Sequence, residues 1–175
     1  MPNVLILATS LDDESRSRVV ARRAKELIEA KGFQVTLADL RDYALPFCGT
    51  EGCKENADAR RLRALVEPAT HILLAVPIYN YDVNAAAKNV VELMGDAFAG
   101  KTVGFICAAG GHRSYMSVMP FANSLMLDLR CWIVPRFVYV TGADVADGRI
   151  VNPEIEKRVR GLVDEMFRHE QQPPP

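Results

Sequence analysis

Short apolar runs alternate with helical stripes along the whole of this 175-residue chain, and that alternation leaves few folds open. Residues 4–8, 71–76 and 102–107 are largely unbroken apolar runs, as expected of strands covered on both faces. Residues 33–37 alternate apolar and polar, which suits a strand at or near a sheet edge. Residues 131–134 and 137–140 read as a fifth strand interrupted at Pro135. Between the runs lie stripes at helical spacing: Val20, Ala24, Leu27 and Ile28, then Val83, Ala87, Val90, Val91 and Met94. Two more follow, Val118, Ala122, Leu125, Met126 and Leu129, then Ile155, Val159, Leu162, Val163 and Met166. A basic helix is expected over residues 57–67. Five such βα units call for an α/β fold with a parallel sheet, helices on both faces and right-handed crossovers.

The punctuation sets the boundaries. Lys31 and Gly32 stop the first helix, since glycine accepts the left-handed cap. Pro77 is expected to end the third strand because it cannot donate to a ladder. The third helix is placed at residues 83–94, and the fourth from Ser114 or Tyr115 to Leu129. Residues 142–152 read as a loop, and Pro153 suits the start of the last helix. One domain over residues 1–170 is predicted, with residues 171–175 as a frayed tail. Residues 39–56 form a long loop, and loops of that length are usually functional.

In open α/β sheets, ligands sit beyond the carboxyl ends of the strands, where the strand order reverses. Three loops are thereby brought to one rim: residues 9–17, 77–82 and 109–114. The first is dense in hydroxyls and runs into a helix, whose leading amides have no partners and whose dipole favours anions. A phosphate-bearing cofactor would suit it, although Ser15 or Ser17 could equally be a plain helix cap.

Net charge of −1 gives no reason to expect nucleic acid or an anionic membrane as partner. No run approaches a membrane span, and the amino terminus lacks a basic signal region, so a cytoplasmic location is expected. Cys107 and Cys131 lie in apolar runs and read as core. Cys48 and Cys53 share a loop, but their spacing and the lack of a nearby histidine do not complete a zinc set, so no metal is expected. His71 and His169 read as structural, and His112 as an exposed rim residue.

With the three loops in view, the chain resembles the NADPH-dependent FMN reductase family. The phosphate motif of that family is matched by Thr9, Ser10, Ser15, Arg16 and Ser17. Its Pro-Glu-Tyr-Asn motif is matched by Pro77, Ile78, Tyr79 and Asn80, with Lys88 and Asn89 downstream. Its glycine-rich loop is matched by Gly110, Gly111 and His112. Thr9 stands where the family has its first glycine, Asp12 where it has arginine, and Ile78 where it has glutamate. A carboxylate ~6 Å from a phosphate repels it by about 3 kcal/mol before screening, so Asp12 must face solvent or be offset by Arg16 and Arg18.

The resemblance implies a flavodoxin-like fold with strand order 2-1-3-4-5. It implies FMN and NAD(P)H as cofactors, a small-molecule electron acceptor such as a flavin or quinone, and a homodimer or homotetramer. The alternatives are a flavodoxin-type electron carrier without enzymatic activity and a flavodoxin-like scaffold with weakened FMN binding. The near-neutral charge counts against the carrier, since such carriers are usually strongly acidic.

Overall fold

The computed structural model describes residues 2–168. Strand β1 (Asn3–Ala8) lies inside a parallel sheet, flanked by β2 (Gln34–Asp39) and β3 (His71–Tyr79). Beyond β3 comes β5 (Thr102–Ala108), and β5 pairs with two short pieces, β6 (Trp132–Ile133) and β7 (Val138–Val140). Counting those two as one interrupted strand, the order is β2-β1-β3-β5-β6/β7, which is 2-1-3-4-5 when only the five parallel strands are numbered. Thr102 pairs with Trp132 and Ile106 with Val138, so two extra residues are taken up around Pro135.

The period-two pattern of β1 sorts the core. Val4 and Ile6 face α1 (Arg16–Ala30) and α5 (Pro153–Met166), while Leu5 and Leu7 face the layer of α2 (Ala57–Val66), α3 (Ala85–Met94) and α4 (Met119–Leu129). All of these strand residues are almost fully buried, each Leu or Ile contributing about 1.5–3 kcal/mol. The α1 and α5 stripes are buried as expected, and Gly32 follows α1 with φ of 83°. His71 is buried against Phe167, with Nδ1 2.9 Å from the Thr70 hydroxyl.

Several boundaries differ from expectation. Strand β3 does not stop at Pro77 but continues to Tyr79 and turns back as β4 (Asp82–Val83). The proline is tolerated because β1 pairs with β3 only as far as Ala75, so no β1 carbonyl looks for a donor at Pro77, whose own carbonyl accepts the Asn84 amide at 3.2 Å. Residues 77–82 are therefore hairpin rather than loop, and α3 begins at Ala85, not Val83. Helix α4 begins at Met119, because Pro120 belongs in a first turn and cannot bond back to an earlier one. Met126 on α4 faces outward. Residues 142–152 contain a hairpin, β8 (Val145–Ala146) and β9 (Arg149–Ile150), turned at Asp147 and Gly148, both with positive φ. His169 and the tail at residues 171–175 lie outside the described residues. Among those described, no helix is long and apolar enough to cross a membrane.

Candidate functional site

The order reverses between β1 and β3, and the loops after β1, β3 and β5 meet above that point. Thr9 extends the β1 pairing through its amide to the Ala75 carbonyl. Its hydroxyl turns inward, donating to Asn84 Oδ1 at 2.8 Å, while Asn84 Nδ2 returns a bond to the Thr9 carbonyl at 2.7 Å. Asn84 thus gives up the helix-cap bond available at the start of α3 and ties two rim loops together instead.

The next turn is closed by its own side chains. Ser10 Oγ accepts the Asp12 amide at 3.3 Å, and Asp12 Oδ1 accepts the Glu14 amide at 2.9 Å. Ser15 caps α1 by accepting the Arg18 amide, and its hydroxyl is 3.0 Å from that of Ser17. The amides of Arg16 and Ser17 have no partner within the helix. Arg18 is buried, donating to the carbonyls of Ser10 at 2.7 Å and Asp12 at 2.8 Å. Its Nε lies 2.7 Å from Asp39 Oδ2, with the N–H not aimed at the oxygen. Burial pushes the Asp39 carboxyl up, but hydrogen bonds from Arg41 and the charges of Arg18 and Arg41 outweigh that and hold it below the ordinary range. Arg18 is therefore committed to the loop and Asp39. Arg16 is the free cation of the pair, exposed and reaching the Ala109 carbonyl at 3.5 Å.

At the β3–β4 turn, Asn80 and Tyr81 have φ of 51° and 63°. A two-residue hairpin of this kind needs positive φ at both places; asparagine accepts it, and tyrosine does so at a cost of about 1–2 kcal/mol. The turn sets Tyr79 at the rim, 52% exposed. In the third loop, Gly110 and Gly111 do not serve an unusual backbone, since Gly111 is extended. A Cβ at either would meet no atom within 4 Å; the glycines keep that space open. Tyr139 OH donates to the Gly111 carbonyl and accepts from Ser114 Oγ at 2.7 Å, which fixes the loop from below.

These parts enclose a hollow of ≈ 360 Å³. Ser10, Ser15, Arg16 and Ser17 line one end, with Pro77, Ile78, Tyr79 and Gly110 along the rest. A second hollow of ≈ 460 Å³ adjoins it at Ile78 and is lined by Asn80, Gly111 and His112. Of the residues singled out in the sequence, Thr9 alone lies behind the wall. Asp12, Glu14, Tyr81 and Arg113 also line these spaces; the positive charge of Arg113 beside His112 is legible in the sequence, whereas nothing but loop position marked Glu14 and Tyr81. Asn84 and Tyr139 left no signal, because each acts across a long sequence separation. Asn89 does carry one: it bonds the Cys48 amide and the Pro46 carbonyl, pinning the long loop to α3.

A parallel sheet of this order, with a hydroxyl- and amide-lined hollow at its switch point, defines a flavodoxin-like protein shaped to hold a nucleotide phosphate. The chain belongs to the NADPH-dependent FMN reductase family, whose profile matches residues 2–145. It is 28% identical over 147 residues to an NAD(P)H-dependent FAD/FMN reductase of Geobacillus thermodenitrificans, covering 80% of each chain. It is 24% identical over 136 residues to an NADPH azoreductase of Bacillus sp. strain OY1-2, covering 77% of this chain and 74% of that one. Its fold superposes on the apo form of the NADH:FMN oxidoreductase EMOB with TM-score 0.81 at 16% identity, covering 100% of this chain and 92% of that one. The flavoenzyme FerB of Paracoccus denitrificans gives 0.73 at 17%, covering 97% and 99%. The protein is an NAD(P)H-dependent flavin reductase that uses FMN.

The residues present fit that cofactor. Hydroxyls, unpaired amides and Arg16 suit a phosphate, and the space above Gly110 and Gly111 is what an added Cβ would fill. Of the two carboxylates at the phosphate end, Asp12 has one oxygen committed to the Glu14 amide.

Proposed function

We propose that the protein acts in the cytoplasm as a homodimer, passing electrons from NAD(P)H by way of FMN to a flavin, quinone or similar small acceptor. The observation that carries this reading is the meeting of three separate loops around two adjoining hollows at the switch point. The amides of Arg16 and Ser17, the hydroxyls of Ser10 and Ser15, and the Arg16 guanidinium bind the phosphate, each bond to the charged group contributing about 1.5–3 kcal/mol. Tyr79 and Ile78 would flank the ribityl chain, and Asn80, held with positive φ at the turn, would stand beside the ring. Gly110 and Gly111 leave room for the pyrimidine edge, while Arg113, with His112 beside it, places positive charge at the mouth. Bound FMN supplies the ring that takes hydride from the nicotinamide and returns electrons to the acceptor. The azoreductase among the relatives supports a small aromatic acceptor.

Outward-facing Met119, Met126 and Leu127 on α4, with Trp132 on the adjoining edge strand, offer an apolar face for the second copy. Titration with FMN, followed by NADH and NADPH oxidation with FMN added, tests the enzyme reading. Replacing Ser10 and Ser15 together by alanine is expected to weaken FMN at least tenfold. Unchanged affinity would move the phosphate to another loop. Since Ser15 also caps α1, circular dichroism of the same variant reports whether the helix has been lost.

A further inference from the structure

Arg16 is the cation at the phosphate end of the hollow, and its own helix does nothing to keep it there. It stands in the first turn of α1, where a positive charge meets the positive end of the helix dipole and no acidic residue of that turn offsets it. It is exposed and makes no ion pair among the described residues. It lines the main hollow on one side and a cavity of ≈ 530 Å³ beside the β8–β9 hairpin on the other, so the side chain has room to lie in either. A position so unfavourable for a cation makes sense where an anion is to be met.

The guanidinium is steadied from outside the three rim loops. A Cβ built on Gly142 would lie 3.5 Å from Arg16 Nη2, 3.6 Å from Cζ and 3.9 Å from Nε. Near-equal distances to three atoms of one plane mean that the guanidinium lies face-on against the Gly142 backbone. Its Nη1 reaches the Ala109 carbonyl only at 3.5 Å, beyond the usual hydrogen-bond range, so that bond alone does not hold it. Gly142 has no positive φ, so a turn does not require the glycine. We propose that Gly142 is a positioning residue for the flavin phosphate, the floor on which Arg16 rests, and that the β7–β8 junction is a fourth segment of the phosphate site. The proposal rests on the reading that Arg16 meets a flavin phosphate at the start of α1. It gives this chain a substitute for the arginine that its phosphate loop lacks, Asp12 standing in that place.

The floor is fixed by bonds of its own. Strands β5 and β7 pair as far as Ala108 and Val140, and the Ala109 amide carries the ladder on to the Val140 carbonyl at 2.9 Å. Beyond it, the Thr141 amide and hydroxyl donate to Asp144 Oδ2 at 2.8 and 3.0 Å, and Asn152, the cap of α5, donates to Asp144 Oδ1 at 2.7 Å. Gly142 lies inside this closed turn, so β7 and α5 set its place, not the loop at residues 9–17. A guanidinium steadied in advance loses less rotamer freedom when a phosphate arrives.

The test is FMN titration of four forms of the full chain: wild type, Gly142→Val, Arg16→Gln and the double variant. Alongside it, the Arg16 Nε–H signal is followed by NMR in the flavin-free protein. Gly142→Val puts branched carbons where the guanidinium lies and is expected to weaken FMN at least fourfold while Arg16 is present. In the Arg16→Gln background the same change is expected to alter FMN affinity less than twofold. Gly142→Ala, whose Cβ would meet the guanidinium at ordinary contact distance, is expected to stay within twofold of wild type. The Arg16 Nε–H signal is expected to be distinct and slow to exchange in wild type and averaged in Gly142→Val. A loss below fourfold with Arg16 present, or one of twofold or more without it, overturns the proposal. An Nε–H already averaged in wild type overturns it with no variant at all, which covers a valine that disturbs the fold. Arg16→Gln binding FMN as tightly as wild type is a separate result: it removes Arg16 from the phosphate, and the role of Gly142 with it.

Discussion

Tyr139 holds the glycine-rich loop by one hydroxyl, with Gly111 above it and Ser114 beside it. Removing that hydroxyl leaves a carbonyl without its donor, at a cost of about 1 kcal/mol. Tyr139→Phe is therefore expected to lower FMN affinity roughly fivefold, since 1.4 kcal/mol is a factor of ten. It should also speed amide exchange over residues 110–114 in the flavin-free protein. Unchanged exchange and affinity together would show that the loop needs no such tie. At this scale the sequence was only partly legible. Hydroxyls and glycines carry their chemistry in their names, so Ser10, Ser15 and Gly110 could be picked out from one chain. Thr9 could not be sorted from them, because its inward turn depends on Asn84, seventy-five positions away. Asp12 is exposed, as the repulsion required, with its Oδ1 accepting the Glu14 amide, so its charge at the phosphate end is screened by solvent. Cys107 shows the reverse case: an apolar run implied burial, and burial pushes its thiol up to about 12, leaving it unreactive.

Among the elements, the join between β7 and α5 is where acidity should be felt. Burial pushes the Asp144 carboxyl up, but bonds from Asn152 and Thr141, with the charge of His112, bring it below the ordinary range. A carboxyl lowered on folding stabilises the protein above its unfolded value near ~4, and that contribution is lost as pH falls through the folded value. Asp144→Ala is thus expected to destabilise by about 2 kcal/mol at pH 7, or roughly 4–8 °C in Tm. The gap from wild type should narrow below about pH 4. Thermal melts across pH 2–7 check this, and a gap that stays constant would exclude the charge of Asp144 as its source. The stripes of α1 and α5 were read correctly because periodicity and packing agree there. Strand β3 and helix α4 were misplaced because a proline is judged by its neighbours. Pro77 lies beyond the last residue that pairs with β1, where no donor is needed from it, and Pro120 belongs in a first turn.

For the whole molecule, the parallel sheet and its two helix layers followed from the alternation of elements, since parallel connections allow few arrangements, while the strand order followed from the family resemblance. What one chain cannot state is how its outer faces are covered. If a second copy covers α4, Leu127→Glu with Trp132→Glu is expected to convert the protein to a monomer at micromolar concentration, read by light scattering. A dimer that persists would place the interface elsewhere. The buried guanidinium of Arg18 has a further consequence at this scale. It grips the carbonyls of Ser10 and Asp12, so the shape of the phosphate loop is held by the protein's own bonds. A docking port that need not be remade at each visit loses less of its binding energy to ordering itself, and so holds its cargo more firmly.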